Sequence, residues 1–181
     1  MLRSLVTSRL VALRGLGSIF TVLLFAGCGA GNSDGTLVVV STTTHVTDIV
    51  KFVAGDRLDV IALMGPGVDP HLYKPTAGDA ATLAKADLIF FSGLMLEGRM
   101  ADVFAKVSRR GTKAYAVTEN VSEELLLEPE EFEGHWDPHV WFDPAIWSKC
   151  IDVVSNALAE NDPEGKAGYT ERAEVLKTEY L

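Results

Sequence analysis

Leu37-Val38-Val39-Val40-Ser41-Thr42-Thr43-Thr44 is the stretch that decides the fold. Four aliphatic residues in a row, with no polar alternation, describe a strand buried on both faces. The hydroxyl cluster after them offers an N-cap. Val46, Ile49, Val50 and Val53 then recur at helical spacing until Gly55 stops the run. A buried strand that feeds an amphipathic helix opens a parallel α/β sheet.

The same alternation continues downstream. Leu58 to Met64 reads as a second strand, broken by Gly65-Pro66-Gly67, and Thr76 with Asp79 forms a capping box at the next helix start. Leu88 to Phe91 is a third buried strand. Leu96, Met100, Val103, Phe104 and Val107 mark a third helix that closes at Gly111, and Lys113 to Val117 is a fourth strand. The expected architecture is α/β, a parallel four-stranded sheet flanked by helices on both faces. Its ligands belong beyond the carboxyl ends of the strands.

Beyond that sheet the pattern changes. Glu119 to Gly134 is an acidic loop holding Glu123, Glu124, Glu128, Glu130, Glu131 and Glu133, and it reads as solvated. Asp143-Pro144 starts a long helix as N-cap and first-turn proline, with an inner stripe of Ile146, Cys150, Val153, Val154, Ala157 and Leu158. Cys150 on that stripe is a small core hydrophobe. Asp162-Pro163 repeats the start signal. The last stripe (Tyr169, Ala173, Leu176, Tyr180) reaches Leu181 with no stop signal, as if cut mid-helix. The reading divides the chain into a lobe over 37–143 and linking helices over 144–181.

Residues 1–27 carry Arg3, Arg9 and Arg14, no acidic residue, and the apolar run 16–26. A basic start, a short apolar stretch and small residues at its exit describe a secretory signal. The run is shorter than the roughly 20 residues of a membrane-spanning helix. Phe25-Ala26-Gly27-Cys28 resembles a bacterial lipobox, with Cys28 as the lipidated residue, and 28–36 is then a flexible tether. This places a soluble domain outside the cytoplasm, held at a membrane by its lipid.

The 181 residues carry a net charge of -9, and removal of the three leader arginines takes it to -12. Such a surface excludes nucleic acid as a partner, because phosphate binding needs basic patches. It suits cations. Two cysteines, Cys28 and Cys150, make no disulfide scaffold.

The tripeptide Asp-Pro-His occurs at Asp69-Pro70-His71 and again at Asp137-Pro138-His139. Each copy falls after a strand and before a helix, on the ligand edge of the sheet. Proline stiffens its own φ and restricts the residue before it, so each imidazole is presented from a rigid loop. Metal ligands need such pre-positioning. Imidazole suits zinc, and also manganese when oxygen ligands complete the shell. Asp69 and Asp137 are placed to fix the histidine tautomers as hydrogen-bond acceptors, or to serve as turn formers. Only neutral imidazole ligates, so binding weakens as pH falls through about 6.5.

The flanks Gly65-Pro66-Gly67-Val68-Asp69-Pro70-His71-Leu72-Tyr73 and Asp137-Pro138-His139-Val140-Trp141-Phe142-Asp143 resemble the TroA-like family of zinc and manganese solute-binding proteins of bacterial ABC importers. Ala86-Asp87-Leu88-Ile89-Phe90, Gly93-Leu94 and Leu96-Glu97-Gly98 add to the likeness, which runs from Leu37 to about Leu181. The resemblance implies one lobe of a two-lobed receptor, with the ion held between lobes. It assigns His71 and His139 as this lobe's ligands and leaves a His or Glu and an Asp or Glu to the other lobe. It implies capture of Mn²⁺ or Zn²⁺ and delivery to a membrane permease and its ATPase, without catalysis. The chain alone is then expected to bind metal weakly.

His45, at the first helix start, reads as a surface or cap-adjacent histidine with the cleft within reach. His135 lies in the acidic loop four residues before His139 and is at most a weak cation contact. The loop's thin histidine content leans away from zinc-type relatives, towards manganese or mixed specificity. Trp136, Trp141 and Trp147 are expected at the hinge or the site wall. Two other functions are less well supported by the residues: a surface adhesin, for which no host-ligand motif is present, and a metallohydrolase, for which neither H-E-x-x-H nor H-x-x-E-H occurs.

Overall fold

The computed structural model describes residues 36–132, 134–179 and 181; the leader over 1–27 and the Cys28 anchor lie outside them. Four strands, β1 (Val39–Ser41), β2 (Val60–Ala62), β3 (Leu88–Phe91) and β4 (Lys113–Ala116), form one sheet in the order β2-β1-β3-β4. Every pair is parallel, as the buried runs foretold. Val39 lies level with Val60 on one side and Leu88 on the other, and Leu88 with Lys113. The chain steps outward from β1 to β2, then returns to the opposite side of β1. The gap between the carboxyl ends of β1 and β3 is therefore a topological switch point, where parallel sheets hold ligands.

Side chains alternate across the sheet and build a core on each face. Val39, Leu88 and Phe90 pack with α1 (Thr44–Ala54), α4 (Pro144–Asn161) and α5 (Lys166–Glu179). Val40 and Ile89 pack on the other face with Leu83 of α2 (Ala77–Leu83), and with Phe104 and Val107 of α3 (Ala101–Ser108). Most of the expected caps are in place, but Asp162, read as the start signal of the last helix, makes no side-chain cap hydrogen bond. Thr43 caps α1, Gly55 ends it at φ 59°, Thr76 and Asp79 exchange both capping-box hydrogen bonds, and Asp143 caps α4.

Two elements depart from their sequence readings. The second strand pairs over three residues rather than seven, because β2 is an edge strand and Ile61 faces solvent. The third helix begins at Ala101, not near Leu96. Gly93, Leu94 and Met95 all take positive φ (89°, 49° and 64°), which no α-helix tolerates, so Leu96 is buried from a turn and Met100 from a short 3-10 segment, Gly98–Met100, instead.

Helices α4 and α5 lie on the lobe itself, sharing one core with α1: Cys150, Ile151, Val154, Leu158 and Tyr169 are all buried there. Cys150 is the core residue its stripe foretold, and burial pushes its thiol up to about 12. Arg172 of α5 donates to the Val53 and Ala54 carbonyls, satisfying the last turn of α1. Asp162, between α4 and α5, accepts from Arg57 and from the Tyr169 hydroxyl.

The Arg57 hydrogen bond, against the opposing effect of burial and with help from Tyr169, holds the Asp162 carboxyl down at about 2. The folded state therefore binds this proton less readily than the unfolded chain. The stabilisation is full above the ordinary carboxylate range and disappears as pH falls through it towards 2. Asp162→Asn is expected to lower the Tm at pH 6 and to flatten the fall of Tm between pH 4 and 2. An unchanged acid limb in thermal melts would show that this contact does not couple α5 to the lobe.

Candidate metal centre

Both Asp-Pro-His loops reach the carboxyl edge of the sheet. The first leaves β2, where the Met64 amide donates to the Thr42 carbonyl at 3.0 Å, and is tied to α2 by the Tyr73 hydroxyl on Asp79 (2.8 Å). The second comes between the acidic loop and α4, and there the Asp137 amide donates to the Leu127 carbonyl at 2.7 Å. The two imidazoles, 68 residues apart in sequence, meet with their Nε2 atoms 3.3 Å apart. Their rings are tilted by 50°.

The paired aspartates do different work. Asp137 Oδ1 accepts from the His139 amide at 3.0 Å and from its ring Nδ1 at 2.6 Å. Burial alone would raise the Asp137 pKa, but these His139 bonds hold it below the ordinary carboxylate range. A proton fixed on Nδ1 leaves the lone pair on Nε2, aimed at His71. Asp69 instead accepts, among the described residues, the His71 amide at 2.9 Å, which is a turn contact. Asp137→Asn, which disturbs the acceptor without changing shape, is expected to weaken metal affinity by roughly 10–100-fold. Asp69→Asn should change it far less. Equal effects in titration calorimetry would remove the tautomer role from Asp137.

His45, His71, His139, Leu96 and Trp141 line one cleft of about 260 Å³. His45 stacks on Trp141 at 4.4 Å between centroids, and Trp141 presents an edge relationship to His139 at 5.2 Å. Partial burial lowers the His45 pKa, with the Asp48 charge pulling the other way. His135 shares a second cleft with His71, Glu130, Phe132 and Trp136. Trp141 and Trp136 thus stand at site walls, as expected, whereas Trp147 lies in the core. The aromatic contact of His45 with Trp141 had no local sequence signal. Among the described residues, no third His, Cys, Asp or Glu joins the pair in a metal-sized cluster.

A parallel sheet with two imidazoles converging at its carboxyl edge defines an α/β ligand-binding lobe with donors suited to a cation. The sequence places it further. Residues 39–180 match the ZnuA family model, described as zinc-uptake complex component A, periplasmic, and the chain belongs to that family. It is 36% identical to the manganese-binding lipoprotein MntA of Bacillus subtilis (strain 168) over 163 residues, 88% of this chain and 53% of that protein. It is 43% identical to the zinc-binding protein TroA of Treponema pallidum (strain Nichols) over 148 residues, 80% of this chain and 46% of that one. Among solved structures, the periplasmic zinc binding protein TroA from Treponema pallidum superposes with a TM-score of 0.75 at 40% identity, covering 79% of this chain and 50% of that one. A Mn-bound periplasmic metal binding protein from Candidatus Liberibacter asiaticus superposes with a TM-score of 0.69 at 29% identity, covering 77% and 51%. The chain spans about half the length of the curated relatives it matches.

Proposed function

We propose that this chain forms one side of an extracytoplasmic receptor for a divalent transition metal, Mn²⁺ or Zn²⁺, delivered to the permease and ATPase of an ABC importer. One observation carries the reading. Two nitrogens bound to a tetrahedral zinc at about 2.0–2.1 Å lie about 3.3–3.4 Å apart by simple geometry. The Nε2 atoms of His71 and His139 are 3.3 Å apart, on loops stiffened by proline, with one tautomer held by Asp137. The arrangement matches a bite on one ion.

His71 and His139 act as ligands in this reading, and Asp137 orients His139. The remaining ligands, a His or Glu and an Asp or Glu, come from a second lobe outside this chain. Large apolar side chains surround the pair in the right place to meet such a lobe: Leu72 is 64% exposed, Leu127 69% and Phe142 79%. Oxygen donors in that lobe favour manganese, and a third imidazole favours zinc. Export by residues 1–27 and a lipid on Cys28 hold the receptor at the membrane; no helix among the described residues is long and apolar enough to cross one. Gly31-Asn32-Ser33-Asp34-Gly35 matches a nucleophile elbow by letter, yet it precedes β1, whereas an elbow follows a strand of its sheet.

Two ligands make a weak site. Titration calorimetry on this chain should find one Zn²⁺ bound with a Kd no tighter than micromolar, corresponding to about -8 kcal/mol. Submicromolar binding by the chain alone would contradict the division of ligands between two lobes.

A further inference from the structure

We propose that Glu97 is a positioning residue for the metal centre, a buried carboxylate that locks the switch point beneath the two histidines. The inference rests on the metal-binding reading above and adds a residue to it. Glu97 is only 3% exposed and lies in the turn after β3, directly before the 3-10 segment Gly98–Met100. Its Oε1 accepts from the Thr42 hydroxyl at 2.6 Å and from the Ser92 amide at 2.8 Å, and Oε2 accepts from the Gly93 amide at 3.4 Å. Thr42 directly follows β1, while Ser92 and Gly93 directly follow β3. One side chain thus bridges the carboxyl ends of the two strands between which the topology reverses.

From there the connection to the ligands is physical. The Thr42 carbonyl that accepts from Met64 sets the point where the chain leaves β2 for the His71 loop. Leu96, beside Glu97, is fully buried and lines the cleft of His71 and His139. Leu94 and Met95, which line the other cleft next to His71, sit in the positive-φ segment that the carboxylate grips at its base. Backbone in that region is strained for residues with a Cβ, and it persists only where surrounding bonds over-determine it. Gly93 leaves no slack, since a Cβ there would stand 2.4 Å from Thr118 Oγ1, which itself donates to the Ser92 carbonyl at 2.8 Å.

Burial raises the Glu97 pKa, and the bonds from Thr42, Ser92 and Gly93 oppose that rise. A buried acid whose hydrogen bonds tie the ends of two neighbouring strands together is placed to support the site above them.

Zn²⁺ calorimetry on the whole chain, at a temperature where each variant is folded by circular dichroism, tests the proposal. Glu97→Gln is expected to weaken Zn²⁺ binding by about 10-fold or more and to move the His71 ring resonances in the metal-free protein. Thr42→Val, which removes one donor and keeps the backbone, should give a smaller loss in the same direction and serves if Glu97→Gln does not fold. Ile89→Val, a core change in β3, should lower Tm without touching affinity. Wild-type affinity in folded Glu97→Gln or Thr42→Val, or an equal loss in Ile89→Val, would overturn the positioning role and leave the metal reading standing. Failure of the wild-type chain to bind Zn²⁺ would remove the metal reading and this inference together.

Discussion

Replacing His71 or His139 with Ala is expected to erase the rise in Tm that Zn²⁺ or Mn²⁺ gives a protein carrying both lobes. Loss of an orienting partner alone costs roughly 10–100-fold in affinity, so loss of a ligand costs about 100-fold or more. At an ion concentration of 100 Kd, bound metal contributes about 2.7 kcal/mol of stability, and a 100-fold weaker site contributes about 0.4 at the same concentration. The metal-free proteins should melt almost together, because both rings lie at the surface end of stiff loops rather than in either core. His45→Ala and His135→Ala should keep most of the metal response, since neither ring shares the 3.3 Å approach. Full responses in both His71→Ala and His139→Ala would withdraw the ligand assignment.

Ile151→Ala should be the most damaging change away from the site, at about 2–5 kcal/mol. Ile151 is completely buried in the middle of α4, in the same core as Val39, Phe90 and Val50. Shortening it leaves a void between α4 and the rest of that core, and close-packed surroundings relax only partly around it. A domain of this size has only about 5–15 kcal/mol in hand, so the variant should lose a large part of its resistance to urea. The midpoint should fall with little change in m, as expected when one cooperative unit is weakened. A loss below 1 kcal/mol, or a separate early transition for α4 and α5, would mean that these helices are an appendage and not part of the lobe's core.

Much of this molecule was legible in its residues for local reasons. Leu37 to Val40 had no polar alternation, as a strand covered on both sides requires, and parallel order followed from the helices between strands. His71 and His139 stood out because the same rigid tripeptide recurs at matching places in the β-to-α order. What stayed hidden depends on long-range geometry. Asp69 and Asp137 occupy identical positions in sequence, yet only Asp137 reaches an imidazole ring, because ring orientation is set by neighbours such as Phe132 and Trp141. Glu97 was hidden by the helical stripe read from Leu96, and its burial is decided by the left-handed residues ahead of it, of which Leu94 and Met95 carry side chains and give no glycine signal. The docking of α4 and α5 on α1 was equally invisible, since an apolar stripe does not name the surface it will cover.

Long-range proton–nitrogen NMR of the histidine rings during a Zn²⁺ titration tests the convergence of the two imidazoles most directly. The Nε2 signals of His71 and His139 should move together, with one midpoint and one ion per chain, while the His139 Nδ1 signal keeps its protonated position. Movement of one ring without the other, or two separate midpoints, would contradict a single ion held between them.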